Sequence, residues 1–514
     1  MRAQDKAEKD SKGEFNEMKR KLCIVLALIM LLSCVVVFSS CGNDANDGIA
    51  STTVTTIPEE KGGDVDEEAK LYEDLPTERY DEFDFKTLTR VLSYASITTF
   101  VPEEGSQNTI DIALFKRNSY VKEILGINIV DTLSSNHSTV INSIVSSNDY
   151  EYDVIFDRAD SMTGHSIAGA FFGIDEYDDS LNFDKPWWFK EATDDVSIDG
   201  LSFFTFGDIN VGYYEAIYTL GFNKQHLIDN RQSMPYDLVR EGKWTVEELE
   251  KLIKNVADGI DCYGLTGHAM VPNVFMVGAG IEMVEQDEDE VLRIYDNEDH
   301  LVNVYTKLKD LFFASNGYGK TNYIDPTSGT VLSSHFYTDC PENADYRARF
   351  TSGLCAFYII NVGQFISEVR ASEFDYGYLP IPKYETGQER YISLLHGGSI
   401  ALAIPITNPD MERTCNILEN FGAYSYKMVR YEYYDVLLKG RAVRDPDSIE
   451  MLDICFGVDE RGSTAFSLDL LYGFGLTNVV AFNMFDNVSS VMDKVEAAAG
   501  TAQGRMDDII EAFK

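Results

Sequence analysis

Residues 109–130 read TIDIALFKRNSYVKEILGINIV, and two periodicities meet inside them. Ile110, Leu114, Val121 and Leu125 fall on one face of a helix, Gly126 supplies a stop, and Ile127 to Val130 has the length and composition of a strand. A helix that hands over directly to a strand is half of a β–α–β unit. The other half lies just upstream, where Leu88 to Ala95 reads as a strand, and a further strand is expected at Asp153 to Phe156. Further along, Thr245 and Glu248 form a capping box after Trp244, and Leu249, Leu252, Ile253 and Val256 recur at helical spacing behind it. Leu301, Val304, Leu308 and Leu311 make a third stripe. Asn408-Pro409 is expected to open a fourth helix, as cap and first helical residue, with Met411, Cys415 and Leu418 on one face. Apolar runs of strand length occupy 354–360, 374–381 and 399–405. Such alternation predicts an α/β architecture with mostly parallel sheets. From Phe83 onward the body runs to roughly 430 residues, more than one hydrophobic core accommodates, so two lobes are expected.

The N-terminus has a different character. Met18-Lys19-Arg20-Lys21 is basic, Leu22 to Phe38 is apolar apart from Ser33 and Cys34, and Phe38-Ser39-Ser40-Cys41-Gly42 follows. That order resembles a lipoprotein signal, implying cleavage before Cys41 and lipidation of its thiol. An uncleaved transmembrane anchor is the competing reading, since about 17 apolar residues is the lower limit for a span. Residues 42–83 are acidic, Gly- and Thr-rich and poor in aromatics up to Tyr72, which reads as a flexible tether.

With 43 Lys+Arg against 85 Asp+Glu, the chain has a formal net charge of −42. Phosphate backbones would repel it, so nucleic acid is excluded as a partner. Beyond Cys41 the cysteines are Cys262, Cys340, Cys355, Cys415 and Cys455, none in a C-x-x-C pair and most inside apolar runs. They read as small buried hydrophobes. The histidines lack ligand spacing, no P-loop occurs, and no metal or cofactor is expected. Asp195-x-Ser197-x-Asp199-Gly200 begins like a calcium loop, but Phe206 stands where the twelfth position needs a carboxylate. Gly397-Gly398-Ser399 approaches a nucleophile elbow but leads into a strand instead of out of one.

The phrases TIDIALFKRNSYVKEILGINI, YEYDVIFDRAD, IDGLSFFTFGD, AIYTLGFNKQHL, PYDLVREGKWTVEELEKLI, SGLCAFYIINVGQF, DYGYLPIPKY and IALAIPITNPDMERTCNILENF occur in an order that resembles the extracellular solute-binding proteins of ABC transporters, in the sugar-binding, maltose-binding-protein-like group. The resemblance spans about 84–514. It implies a two-lobed, periplasmic-binding-protein-like α/β fold with the ligand cleft between lobes: 84–215 with 379–432 in lobe one, 216–378 with 433–514 in lobe two. It also implies a monomer held at the outer face of the cell membrane by its lipid, with permease subunits as partners and no catalysis of its own.

Sugar sites combine aromatic faces with forked polar side chains. By resemblance, the candidates are Asp157, Arg158 and Asp160 after a lobe-one strand, with Glu103 and Glu104 as weaker ones. Tyr214 and Glu215 stand at the first crossing, and His268, Asn361 and Gln364 in lobe two. Tyr472 and Phe474, flanking Gly473, are the expected stacking platform. Trp187 and Trp188 are expected to pack lobe one, and Trp244 to staple a helix start. The expected function is capture of an oligosaccharide for import. Alternatives are a peptide, polyamine or glycerol-phosphate-type solute on the same scaffold, for which the acidic candidates would suit a cation. A secreted glycosidase is the alternative from another class.

Overall fold

The computed structural model describes residues 70–514 except 93–98, 178–179, 258–262, 268–269, 288–289, 314–321, 325–330, 334–335, 338–345 and 485. The signal region, Cys41, most of the tether, Cys262, Cys340 and His268 lie outside the described residues. Among the described residues no helix is long and apolar enough to cross a membrane.

The opening unit is β1 (Phe83–Arg90), α1 (Thr109–Leu125) and β2 (Ile127–Ser134). Asn108 caps α1, its Oδ1 accepting from the N–H of Ile110. Gly126 ends the helix at φ 69°, in the left-handed region that favours glycine. All four stripe residues are buried. β1 pairs in parallel with β2, Phe83 opposite Ile127, and with β3 (Val154–Arg158). α2 (His137–Ser147) precedes β3 and α3 (Ala159–Ile167) follows it.

A second sheet is built from β4 (Tyr218–Asn223), β5 (Tyr263–Gly267), β6 (Cys355–Asn361) and β7 (Tyr376–Leu379), in the order β5-β6-β4-β7, with Phe336–Tyr337 as a short edge strand beside β5. Between these strands run α4 (Val246–Ala257), α5 (Glu298–Phe313) and α6 (Val362–Val369). The chain then returns to the first sheet, where β8 (Ile400–Ala403) pairs antiparallel with β3 and completes the order β8-β3-β1-β2. α7 (Met411–Tyr424) leads into two π-helical segments, Ser425–Arg430 and Glu432–Ala442. α8 (Leu468–Tyr472) and the long α9 (Val488–Phe513) close the chain.

Two expectations are corrected. The sheets are mixed, because β4 and β8 each run antiparallel to a neighbour; a strand entered directly from the other sheet arrives from the opposite end. The α7 cap is Asp410, whose Oδ1 accepts from the N–H of Arg413. Asn408 instead donates to the Asp153 carbonyl and to Thr414.

Strand alternation splits the first sheet's apolar residues between two faces. Phe85, Val154, Phe156 and Leu402 meet Cys415, Leu418 and Phe421 of α7, together with Trp187 and Trp188. Both indole N–H groups donate to Glu419, at 3.0 and 2.8 Å. Leu88, Ile155, Ala401 and Ala403 face the other way, into the large core shared with the second sheet. Trp244 is buried, its indole N–H donating to the Pro380 carbonyl.

Glu282 and Asp195 form a half-buried acidic pair. Burial foremost, then Asp195 and Glu285, pushes Glu282 up to about 8. Burial foremost, then Glu191 and Asp194, pushes Asp195 up to about 7. A carboxyl raised in the folded state makes that state bind more protons than the unfolded chain, so stability falls as pH rises from about 4 to about 8. Allowing for solvent screening, about 2–3 kcal/mol is expected to be lost across that window. Urea melts at pH 5.5 and 8.5 test this, and Glu282→Gln is expected to flatten the difference.

Candidate functional site, a cleft between two sheets

The C-terminal ends of β1 and β6, with the segments leading into β4 and β8, converge on one recess. Leu92, Gly212, Glu215, Ala216, Asn361, Gly363, His396, Gly398 and Ile400 line it. Strand C-termini are where α/β sheets leave room for ligands. The recess is tight, about 20 Å³, space for a single water. Beside it opens a wider one of about 550 Å³. The first turn of α1 with the residues just before it (Gln107, Asn108, Thr109, Ile110) forms one wall. Gly363, Ile366, Ser367, Arg370 and Ala371 form the other, and Leu437 closes an end. Gly363 lines both recesses; a Cβ there would lie 2.7 Å from the Glu215 Cβ, so the close approach requires glycine.

α6 shows why its sequence presents this wall. Val362, Phe365 and Val369 are buried, while Gly363, Ile366, Ser367 and Arg370, at i, i+3, i+4 and i+7, share the adjoining face, of which only Gly363 is buried. Asn361 caps the helix, its Oδ1 accepting from the Gln364 N–H, and its amide donates to Gln364 Oε1 at 3.2 Å. His396 Nδ1 accepts from the Gly398 N–H at 2.8 Å, which fixes the imidazole at the rim.

Among the expected site residues, Glu215 and Asn361 line the tight recess, and Gln364 is bonded to Asn361 at its edge. Asp157, at the end of β3, is fully buried. It accepts from the Arg158 N–H at 2.7 Å and lies 3.1 Å from His137 Nδ1 and 3.6 Å from Arg90 Nη1. His165 stands by this cluster, and burial lowers its pKa. Arg158 turns its guanidinium onto Asp160, Nε donating at 2.8 Å and Nη2 closing a second bond. Glu103 and Glu104 are exposed. Tyr214 is buried among Phe189, Tyr433, Tyr434 and Phe456, its hydroxyl donating to Asp208 at 2.9 Å.

Tyr472 and Phe474 do stack, with centroids 6.2 Å apart and 19° between planes, but within the core. Phe474 is 4% exposed, and the Tyr472 hydroxyl donates to the Val196 carbonyl at 2.8 Å. Sequence reasoning missed the α1 turn, the α6 face with Arg370, and the Gly397-Gly398 turn. The last two carried signals, one in its helical spacing and the other in a glycine pair between apolar runs.

No family model and no curated protein matches the chain. Solved structures do. The GacH receptor of Streptomyces glaucescens GLA.O, described unliganded and with acarbose, is 14% identical over 83% of this chain and 98% of its own, at a TM-score of 0.50. Apo RafE from Streptococcus pneumoniae is 14% identical over 84% and 98%, also at 0.50. UgpB from Mycobacterium tuberculosis, in complex with glycerophosphocholine, is 13% identical over 84% and 99%, again at 0.50. With two mixed sheets, a cleft at their strand ends and these neighbours, the chain has the two-lobed, periplasmic-binding-protein-like fold.

Proposed function

We propose that this protein captures a carbohydrate outside the membrane and delivers it to the permease subunits of an ABC transporter, without chemically altering it. The cleft carries the reading: two sheets meet it at strand ends, and its walls mix amide and hydroxyl side chains with apolar ones. Similarity to receptors described with acarbose and with glycerophosphocholine supports a polyhydroxylated solute. A polyamine is the poorer fit, since Asp157 is fully buried with Arg90 3.6 Å away, and Asp160 is already held by Arg158. We take the lobes as 84–215 with 379–432 and 216–378 with 433–514, and Cys41 as the lipid attachment point at the outer face of the membrane.

A solute touching α1 on one side and α6 on the other contacts both walls only when they approach, so it favours the closed arrangement. The tight recess beside Gly363 has to widen before a sugar ring can enter, so capture includes an opening step. A thermal-shift screen of mono- and oligosaccharides, peptides and polyamines tests the reading. A sugar at about 100 times its Kd is expected to add about 2.7 kcal/mol of stability. A response to polyamines alone would overturn the carbohydrate assignment.

A further inference from the structure

The charge in the wider recess is opposite to that of the protein. Acidic residues outnumber basic ones 85 to 43, yet the charged side chain on these walls is Arg370. It is exposed at the end of α6, on the face carrying Gly363 and Ser367, and has no carboxylate partner among the described residues. Its neighbour Arg444 is engaged, donating to the carbonyls of Arg370, Ser372 and Phe374 and lying 3.6 Å from Asp375. Three carboxylates of the cleft region are engaged or withdrawn, while Glu373, three residues beyond Arg370, is exposed. Asp160 is held by Arg158, Asp111 accepts from the Ser106 hydroxyl, and Glu215 is 5% exposed behind Gly363.

We propose that Arg370 makes the cleft selective for an anionic sugar, one bearing a carboxylate or a phosphate ester. This rests on the sugar-capture reading above. A guanidinium offers paired N–H groups that match either anion, and the pairing strengthens when a closing cleft excludes water. Ser367, one turn earlier on the same face, supplies a hydroxyl beside it. The N-terminus of α1 on the opposite wall adds a field of the same preference. The net charge does not cancel this, because repulsion from distant carboxylates is screened beyond about 8 Å at physiological salt.

Calorimetric titration of the purified protein tests the assignment with four probes: trigalacturonate, its methyl ester, maltotriose and glucose 6-phosphate. The charged form of a sugar is expected to bind roughly tenfold to hundredfold more tightly than its neutral counterpart. Arg370→Gln is expected to abolish that preference, and Arg370→Lys to keep part of it. Whether trigalacturonate or the phosphate ester responds identifies the anion. Neutral sugars binding as tightly as charged ones, or a preference unchanged in Arg370→Gln, would overturn the role of Arg370 and leave sugar capture standing. Failure of every sugar, charged and neutral, would overturn both.

Discussion

Replacing Arg117 with alanine is expected to lower folding stability by about 3–5 kcal/mol, through unsatisfied acceptors and a cavity together. Arg117 is fully buried on α1 and joins that helix to Phe100, Ile209 and Ser425. Its Nη1 donates to the Ile209 carbonyl at 3.1 Å and to the Ser425 hydroxyl at 3.0 Å. Its Nη2 donates to the Phe100 carbonyl at 3.2 Å, and Nε and Nη2 both reach Asn118 Oδ1. The guanidinium also lies 4.5 Å from the Phe100 ring centroid and 5.3 Å from that of Phe421. Burial lowers its pKa to about 9, so it stays protonated at neutral pH. A lysine amine cannot reproduce the fork, and Arg117→Lys is expected to recover less than half of the loss. Urea denaturation with an unchanged m-value measures both variants. A loss below about 1 kcal/mol for the alanine variant would contradict this account of the Arg117 contacts.

The second large effect concerns the pair expected from sequence to stack on a ligand. Phe474→Ala is expected to cost about 3–5 kcal/mol of stability, the range for a buried aromatic, and to leave the affinity for whichever sugar the screen identifies within twofold. A platform residue would give the reverse: a tenfold or greater loss of affinity with melting unchanged. Parallel melts and titrations of the variant decide between them.

Helices and strands were legible wherever amphipathic spacing and a terminal signal coincided. The stripe from Ile110 to Leu125 with its Gly126 stop is one case, and the capped helix after Trp244 another. Strand direction was not legible, because whether β4 or β8 runs parallel depends on the side from which the chain enters a sheet. Asn361 and Glu215, proposed from a strand end and a crossing, do line the tight recess. Asp157 looked available because a sequence records a carboxylate but not the His137 that lies beside it from α2. Tyr472 and Phe474 misled for a similar reason: Gly473, at φ 73°, does make the turn expected of it, and the turn carries both rings inward. The helical spacing of Gly363, Ile366, Ser367 and Arg370 was a signal of a shared face, but that this face lines a recess depends on the α1 turn opposite it, which no linear pattern records.

The position of β8 bears on how the protein is made. Ile155 and Phe156 emerge from the ribosome early, but their partners Ala403 and Leu402 follow only after the whole second sheet has been synthesised. Until then β3 presents an unpaired edge, the kind of surface that recruits other chains into aggregates. Fragments ending before residue 400 would therefore be poor candidates for expression as a free-standing first lobe.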